Sequence, residues 1–138
     1  MIKIILPIAE RKEINLSLET DLSPQPFADL LERIDSDRVT VNYDIGNSAA
    51  LGYNLLEELD AYGSRITDIH IKDRILGGGP VILGAGNSDF ELFFDKLKEF
   101  EYKGPFIMQA YRDEEGIEIF KKQLEWISPY INYINDEP

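Results

Sequence analysis

The chain has 138 residues, and its 43% hydrophobic content allows one domain with a real core and excludes a disordered chain. A net charge of −12, from 26 acidic and 14 basic residues, argues against nucleic acid and anionic membranes as partners. The absence of cysteine excludes disulfides and thiolate zinc sites. The sequence shows no signal peptide and no apolar run near the ~20 residues that span a membrane, so we expect a soluble cytoplasmic protein.

Four short apolar or β-branched runs predict strands, and each run stops at a polar side chain. The strands cover residues 15–19, 39–44, 66–70 and 106–109, and they end at Glu19, Asp44, His70 and Gln109. Amphipathic spacing predicts helices between and after them, over 26–34, from Asn47 or Ser48 to Leu59, from Ser88 or Asp89 onwards, and over 114–131. Pro129 is expected to end or kink the last helix near Ser128. We interpret the glycine-rich segment 77–86 as a mobile loop or lid hinge.

This alternation of strands and helices predicts a parallel α/β sheet with right-handed crossovers. A closed (β/α)₈ barrel takes ~250 residues, so the chain is predicted to be half of one, a single domain of four βα units over residues 1–138. The carboxyl ends of such strands meet at one rim, where Glu19, Asp44 and His70 make an oxygen-rich site for a divalent cation. Gln109 is neutral and cannot act as a carboxylate base.

Each of these residues also has a plain structural interpretation. Glu19 could be a solvated loop carboxylate, Asp44 a helix cap, and His70 a structural histidine. Gln109 could be a rim amide that bonds Arg112 or a neighbouring strand, instead of a metal or substrate contact. Three cations near the rim are candidate phosphate or hydroxyl contacts, or else ordinary salt-bridge partners: Lys72, Arg74 and Arg112.

Several local patterns occur together in one order: Leu18-Glu19-Thr20, the run 42–47, the run 69–73 and the run 83–90. In this order the chain resembles the C-terminal half of the xylose-isomerase-like barrels, a family of sugar isomerases and sugar-phosphate epimerases. The likeness is greatest to hexulose-6-phosphate isomerase and L-ribulose-5-phosphate 3-epimerase-like proteins. The resemblance implies that the four strands correspond to strands five to eight of a full barrel.

The resemblance also implies a site and its chemistry. Glu19, Asp44 and His70 would hold one divalent cation (manganese, magnesium, cobalt or zinc), and Gln109 stands where the family has a second glutamate. In the family the two glutamates exchange a substrate proton through a cis-enediolate, so Glu19 is here the one remaining base. Asn47 stands where a histidine often contacts the substrate. The implied substrate is a sugar or a sugar phosphate.

Two functions follow from these features. The first is a metal-dependent sugar or sugar-phosphate isomerase or epimerase; a 3-epimerase needs two bases, whereas an aldose–ketose isomerase needs one. The alternative is a non-catalytic, truncated half-barrel that serves as a sugar-binding or scaffolding module. Because four strands cannot close a barrel, we expect a homodimer or a separate N-terminal half-barrel to cover the apolar barrel-facing side chains of Val39-Val41-Tyr43 and Ile107-Gln109.

Overall fold

A computed structural model describes residues 2–135 of the chain. Its main sheet has four parallel strands in the order β1-β2-β3-β6. These strands are β1 (Leu16–Leu18), β2 (Val39–Asp44), β3 (Ile66–Ile71) and β6 (Phe106–Met108), and a small antiparallel hairpin joins β4 (Asp73–Arg74) to β5 (Pro80–Val81). The four sequence-predicted strands are therefore present, each within one or two residues of its expected ends.

Residues 2–135 contain six α-helices and one 3-10 helix, which lie before, between and after the strands. They are α1 (Ile2–Lys12), α2 (Pro24–Ile34), α3 (Ile45–Leu51), α4 (Leu55–Tyr62), the 3-10 turn Gly63–Arg65, α5 (Phe90–Glu99) and α6 (Ile117–Asn135). Within the described residues no helix is both long and apolar enough to cross a membrane. Asp89 caps α5, as expected, and its carboxylate accepts the N–H of Leu92.

The hydrophobic core lies between one face of the sheet and the helices. Val39, Val41 and Tyr43 are almost fully buried there, together with the stripe of α5 formed by Phe90, Phe93, Phe94 and Leu97. The prediction that Val39, Val41 and Tyr43 face the barrel interior is therefore wrong. Successive strand residues alternate between faces, so the face that presents Asp44 carries Asn42 and Thr40 instead.

A β-bulge in β3 sets the direction of His70. Val41 is paired with Ile66, but Asn42 is paired with Asp68, so Thr67 is an extra residue in β3. The bulge turns both Thr67 and Asp68 to the open face, where Ser17 Oγ donates to Asp68 Oδ1 over 2.7 Å. Because the bulge shifts the alternation by one residue, His70 also reaches the open face and pairs with Asp44.

The helices differ from the sequence prediction in three places. The helix expected from Asn47 or Ser48 to Leu59 is two helices, because Gly52 has a φ of 72° and Asn54 caps a new helix through the N–H groups of Leu56 and Glu57. Helix α6 continues through Pro129 to Asn135, since Ile127 and Ile134 are buried on either side of it. Helix α1, which contains a proline, was not predicted.

Candidate metal centre

Three side chains converge at the carboxyl ends of β1, β2 and β3. One ligand atom from each of Glu19, Asp44 and His70 lies within 4.8 Å of the other two. His70 Nδ1 is 3.4 Å from Glu19 Oε2 and 3.8 Å from Asp44 Oδ2. Metal bonds of about 2.0–2.2 Å set neighbouring ligand atoms roughly 3–3.6 Å apart, so these separations are close to those of one shared ion.

The two oxygens of Asp44 have different surroundings. Oδ1 accepts the backbone N–H of Asn47 over 2.8 Å and caps α3, so the capping interpretation holds for this oxygen. Oδ2 is buried and has no hydrogen-bond partner in residues 2–135. A buried acceptor without a partner costs free energy, and a cation between Asp44, Glu19 and His70 would remove that cost. Two carboxylates and an imidazole therefore fit a divalent cation.

Asn42 is a site residue that the sequence analysis did not identify. Its side-chain nitrogen lies 3.3 Å from Glu19 Oε2 and 3.1 Å from His70 Nε2, and so it stands between two of the three converging groups. Its position two residues before Asp44 on the same strand was the available signal, because residues i and i+2 share a face.

Asn47 and Arg74 form the outer part of the centre. The Asn47 side-chain N–H donates to Glu19 Oε1 over 2.7 Å, and Arg74 Nη1 donates to Asn47 Oδ1 over 2.8 Å. The other guanidinium donors of Arg74 bind the carbonyl of Gly78 at 2.8 and 3.2 Å. These contacts join Arg74 to Asn47 and to the glycine-rich loop, and its predicted contact with a phosphate or a hydroxyl stays a prediction.

Lys72 connects the centre to Gln109. Its ammonium donates to Gln109 Oε1 over 3.0 Å and to Asn47 Oδ1 over 3.3 Å, and it lies 3.7 Å from Asp44 Oδ2. Gln109 thus bonds the lysine that follows the neighbouring strand, and within residues 2–135 its side chain makes no hydrogen bond with Arg112. An open cavity of 540 Å³ lies beside the centre, and Lys72, Gln109 and Arg112 line it. The other residues of its wall are Pro80, Met108, Ala110, Tyr111 and Phe120.

The glycine-rich loop is fastened to the sheet by Asp73, a second residue that the sequence analysis missed. Its buried carboxylate accepts four backbone N–H bonds: Gly84 and Gly86 at Oδ2, and Arg74 and Ser88 at Oδ1, over 2.8 to 3.1 Å. A side chain at position 86 would collide with this carboxylate, so the close approach needs glycine. The loop is therefore a folded hairpin whose conformation depends on one buried acid.

A buried carboxylate supports the centre from the helix side. Glu58 is 2% exposed and accepts hydrogen bonds from Tyr43, Tyr62 and Ser48, of which the two tyrosine bonds measure 2.8 Å. Burial, followed by the charge of Glu58, raises the pKa of Tyr43 and of Tyr62 above the ordinary value of 10.0. This cluster joins α4 to the end of β2, and so it fixes the backbone that carries Asp44.

A family match and a similar sequence both place the chain among the same group of proteins. Residues 1–130 match the family described as the xylose isomerase-like TIM barrel. The chain is 30% identical over 142 residues to SgbU of Haemophilus influenzae, which carries a provisional assignment as an L-ribulose-5-phosphate 3-epimerase, and the match covers 91% of this chain and 49% of SgbU.

Solved structures show the same fold. A xylose isomerase domain protein from Planctomyces limnophilus superposes with a TM-score of 0.77 at 23% identity, covering 88% of this chain and 48% of that one. The IolI protein, solved with a zinc atom, superposes with a TM-score of 0.73 at 22% identity, covering 94% and 54%. The four-stranded sheet is thus a partial TIM barrel, and the chain spans about half the length of these relatives.

Proposed function

The chain belongs to the xylose isomerase-like TIM barrel family, and from that premise we propose that it is a metal-dependent sugar or sugar-phosphate isomerase with Glu19 as its single base. The observation that carries the proposal is the convergence of Glu19, Asp44 and His70 around Asp44 Oδ2, a buried oxygen with no hydrogen bond in the described part of the chain. Relatives about twice as long include assigned sugar-phosphate epimerases, which supports a small sugar as the substrate.

Glu19, Asp44 and His70 are the residues that would hold the cation. When bound there, a divalent cation would polarise the carbonyl and hydroxyl oxygens of the sugar. The donor set suits zinc, manganese, magnesium or cobalt, and IolI, whose structure contains zinc, supports this class of ion.

Glu19 moves the proton in this proposal. Its Oε2 faces His70, while its Oε1 points outwards and accepts one hydrogen bond from Asn47. A carboxylate oxygen can accept two hydrogen bonds, so Oε1 retains a lone pair for a substrate proton. The carboxylate can take the proton from one carbon of the sugar and return it to the adjacent carbon through an enediolate, while the hydroxyl proton passes from the oxygen that becomes the carbonyl to the oxygen that was the carbonyl.

The substrate would lie in the 540 Å³ cavity beside the centre, which has room for a small sugar. Two cations line this cavity, Lys72 and Arg112, in a chain whose net charge is −12. We propose that they bind an anionic substituent such as a phosphate, and that Gln109 binds a hydroxyl group.

Gln109 favours isomerisation over epimerisation. Inversion at one carbon requires a base on each face of the planar intermediate, and an amide cannot remove a proton. Proton transfer between adjacent carbons can use one face and one base. This difference separates the proposal for this chain from the epimerase assignment of SgbU.

We expect the reaction to take place in the cytoplasm, because a chain without cysteine fits a reducing compartment.

The test combines metal binding with proton exchange. The purified chain is titrated with Mn²⁺ by calorimetry, and aldose and ketose phosphates are then incubated with it in deuterated water and followed by NMR. We expect Mn²⁺ binding and conversion with deuterium at the carbons next to the carbonyl, both abolished or strongly reduced in Glu19→Gln. Mn²⁺ binding without conversion or exchange would favour the alternative, a sugar-binding or scaffolding half-barrel. No binding at all would overturn the metal site.

We also propose that a second half-barrel, in the simplest case a second copy of this chain, completes the barrel. Strands β1 and β6 are the outer strands of the sheet, and neither outer edge is paired within residues 2–135. Free edges of parallel strands invite further pairing. The exposed Ile107 on the open face of β6, and Ile4 and Ile8 of α1, would gain from such a contact.

A further inference from the structure

Asn47 binds both carboxylates of the candidate metal centre, and in each case it binds the oxygen that faces away from His70. Its backbone N–H binds Asp44 Oδ1 over 2.8 Å, and its side-chain N–H binds Glu19 Oε1 over 2.7 Å. We propose that Asn47 is a positioning residue that aims the remaining oxygens of Asp44 and Glu19 at one cation, and that Arg74 holds Asn47 in place. This inference rests on the proposed metal-dependent function.

The contacts of Asn47 fix the orientation of its side-chain amide. The carbonyl oxygen accepts from two cationic donors, Arg74 Nη1 at 2.8 Å and Lys72 Nζ at 3.3 Å, and the nitrogen faces the Glu19 carboxylate. A flipped amide would set its oxygen against the carboxylate and its N–H groups against two cations. The amide therefore has one favourable orientation, and its donor is directed at Glu19.

The carboxylate oxygens that Asn47 leaves free are those near His70. Glu19 Oε2 lies 3.4 Å and Asp44 Oδ2 lies 3.8 Å from His70 Nδ1. Hydrogen bonds to the outer oxygens restrict rotation of both carboxylate groups. Such partners orient metal ligands, and their loss typically weakens metal binding about 10–100-fold.

Arg74 couples this arrangement to the glycine-rich loop. Within residues 2–135 it makes no hydrogen bond or ion pair with the three converging side chains; it donates to Asn47 and to the carbonyl of Gly78. Its backbone N–H is bound by the buried carboxylate of Asp73, which also fastens the far end of the loop at Ser88. The conformation of the loop is thus transmitted to Glu19 through Arg74 and Asn47.

The test uses Co²⁺, whose visible absorption spectrum reports the geometry of its ligands. Affinity and spectrum are measured for the natural chain and for Asn47→Ala, Arg74→Ala and Arg74→Lys. We expect Co²⁺ affinity to fall about 10–100-fold in Asn47→Ala, with a changed spectrum, and by a smaller factor in Arg74→Ala. Arg74→Lys should recover part of the loss, because an ammonium can still donate to Asn47 Oδ1.

A matched control is Asn54→Ala, which removes the asparagine that caps α4 and has no hydrogen bond to Glu19, Asp44 or His70 within residues 2–135. It should lower the melting temperature and leave Co²⁺ affinity and spectrum unchanged. A second readout needs no metal: the side-chain amide resonance of Asn47, assigned by triple-resonance NMR of the natural chain, should shift in Arg74→Ala. That shift remains informative even if Asn47→Ala does not fold well enough for titration.

The outcomes separate this inference from the proposed function. If the natural chain binds no Co²⁺, the metal-dependent function fails and the inference fails with it. If the natural chain binds Co²⁺, but folded Asn47→Ala and Arg74→Ala bind it with the same affinity and spectrum, the metal site stands and the positioning role is overturned. Weaker binding in both variants and unchanged binding in Asn54→Ala support the positioning role.

Discussion

Asp44 Oδ2 lies 3.8 Å from His70 Nδ1 and is buried with no hydrogen-bond partner among residues 2–135, whereas Oδ1 of the same carboxylate caps α3. The two oxygens can therefore be tested separately. Asparagine is as good a helix cap as aspartate but carries no charge. We expect Asp44→Asn to keep the fold and to weaken Mn²⁺ binding by on the order of 100-fold or more, measured by calorimetry.

A control for this variant is Ser48→Ala, which changes a buried residue of the same helix without removing a carboxylate. It should cost about 1 kcal/mol of stability through its bond to Glu58 and leave Mn²⁺ affinity within a few-fold of the natural chain. Equal Mn²⁺ affinity in Asp44→Asn and the natural chain would remove Asp44 from the ligand set.

The second prediction concerns Gln109, which accepts a hydrogen bond from Lys72 over 3.0 Å. In the natural chain the ammonium of Lys72 lies 3.7 Å from Asp44 Oδ2. In Gln109→Glu the new carboxylate should attract this ammonium and add negative charge beside the centre. We expect Mn²⁺ affinity to rise several-fold. If the rest of the site is complete, the variant should also gain epimerase activity, seen by NMR as deuterium exchange with inversion at the sugar carbon.

Gln109→Ala is the matched control, because it releases Lys72 without adding a charge. It should not reproduce the gain in affinity. Calorimetry that shows no gain for Gln109→Glu over the natural chain would count against a role for this position near the cation.

The sequence predicted the four strands and their polar ends because these depend on local composition and on the shared rim of parallel strands. The convergence of Glu19, Asp44 and His70 also depends on the bulge at Thr67, which no local pattern indicated. The apolar run and the polar strand end predict barrel-interior positions for both Val41 and Asp44, although an odd separation of three residues along a regular strand sets them on opposite faces. Period-two alternation, applied consistently, would have corrected that assignment and identified Asn42.

Asp73 and Asn47 show why the rest of the site was beyond sequence reasoning. In the sequence, Asp73 follows Lys72 and resembles an ordinary surface charge. Only the folded loop brings the N–H groups of Gly84, Gly86 and Ser88 to its carboxylate. Asn47 was expected to be a helix cap or a substrate contact. Its side chain bonds Glu19, which belongs to a different βα unit. The distance between the Asn47 nitrogen and the Glu19 oxygen depends on how the sheet curves.

The third prediction concerns alkaline stability. The pKa values of Tyr43 and Tyr62 are raised in the folded protein, mainly by burial and then by the charge of Glu58. A raised pKa means that the unfolded chain loses its tyrosine protons first, so the stabilisation is complete below about pH 10 and is lost as pH rises above it. The free energy of unfolding, measured with urea from pH 8 to 11.5, should fall above pH 10 by up to about 1.4 kcal/mol per pH unit for each tyrosine.

Tyr62→Phe tests the assignment of this pH dependence. The variant should be less stable at pH 8, because Glu58 loses one of its three donors, and its stability should fall less steeply above pH 10. The same slope in the variant and in the natural chain would show that Tyr62 does not contribute to the alkaline transition.

The last prediction concerns assembly. Strands β1 and β6 are the outer strands of a sheet with one helix-covered face, and Ile107 is 44% exposed on the open face. Two copies related by a twofold axis along the barrel could pair β1 of each with β6 of the other, which closes eight parallel strands without a free edge. Sedimentation equilibrium at micromolar concentration should therefore give twice the chain mass of 15.8 kDa.

Charge and surface variants make this test specific. Each copy carries a net charge of −12, so added salt should strengthen the dimer by screening repulsion between the copies. Ile107→Lys should weaken it by introducing a charge at the open face, whereas Phe100→Lys, at an exposed position at the end of α5 in the helix layer, should not. A monomer of 15.8 kDa at all concentrations and salt levels would contradict the dimer. Because the open face is mostly polar, through Ser17, Asn42 and Asp68, such a monomer would show that strand pairing alone does not hold two copies together.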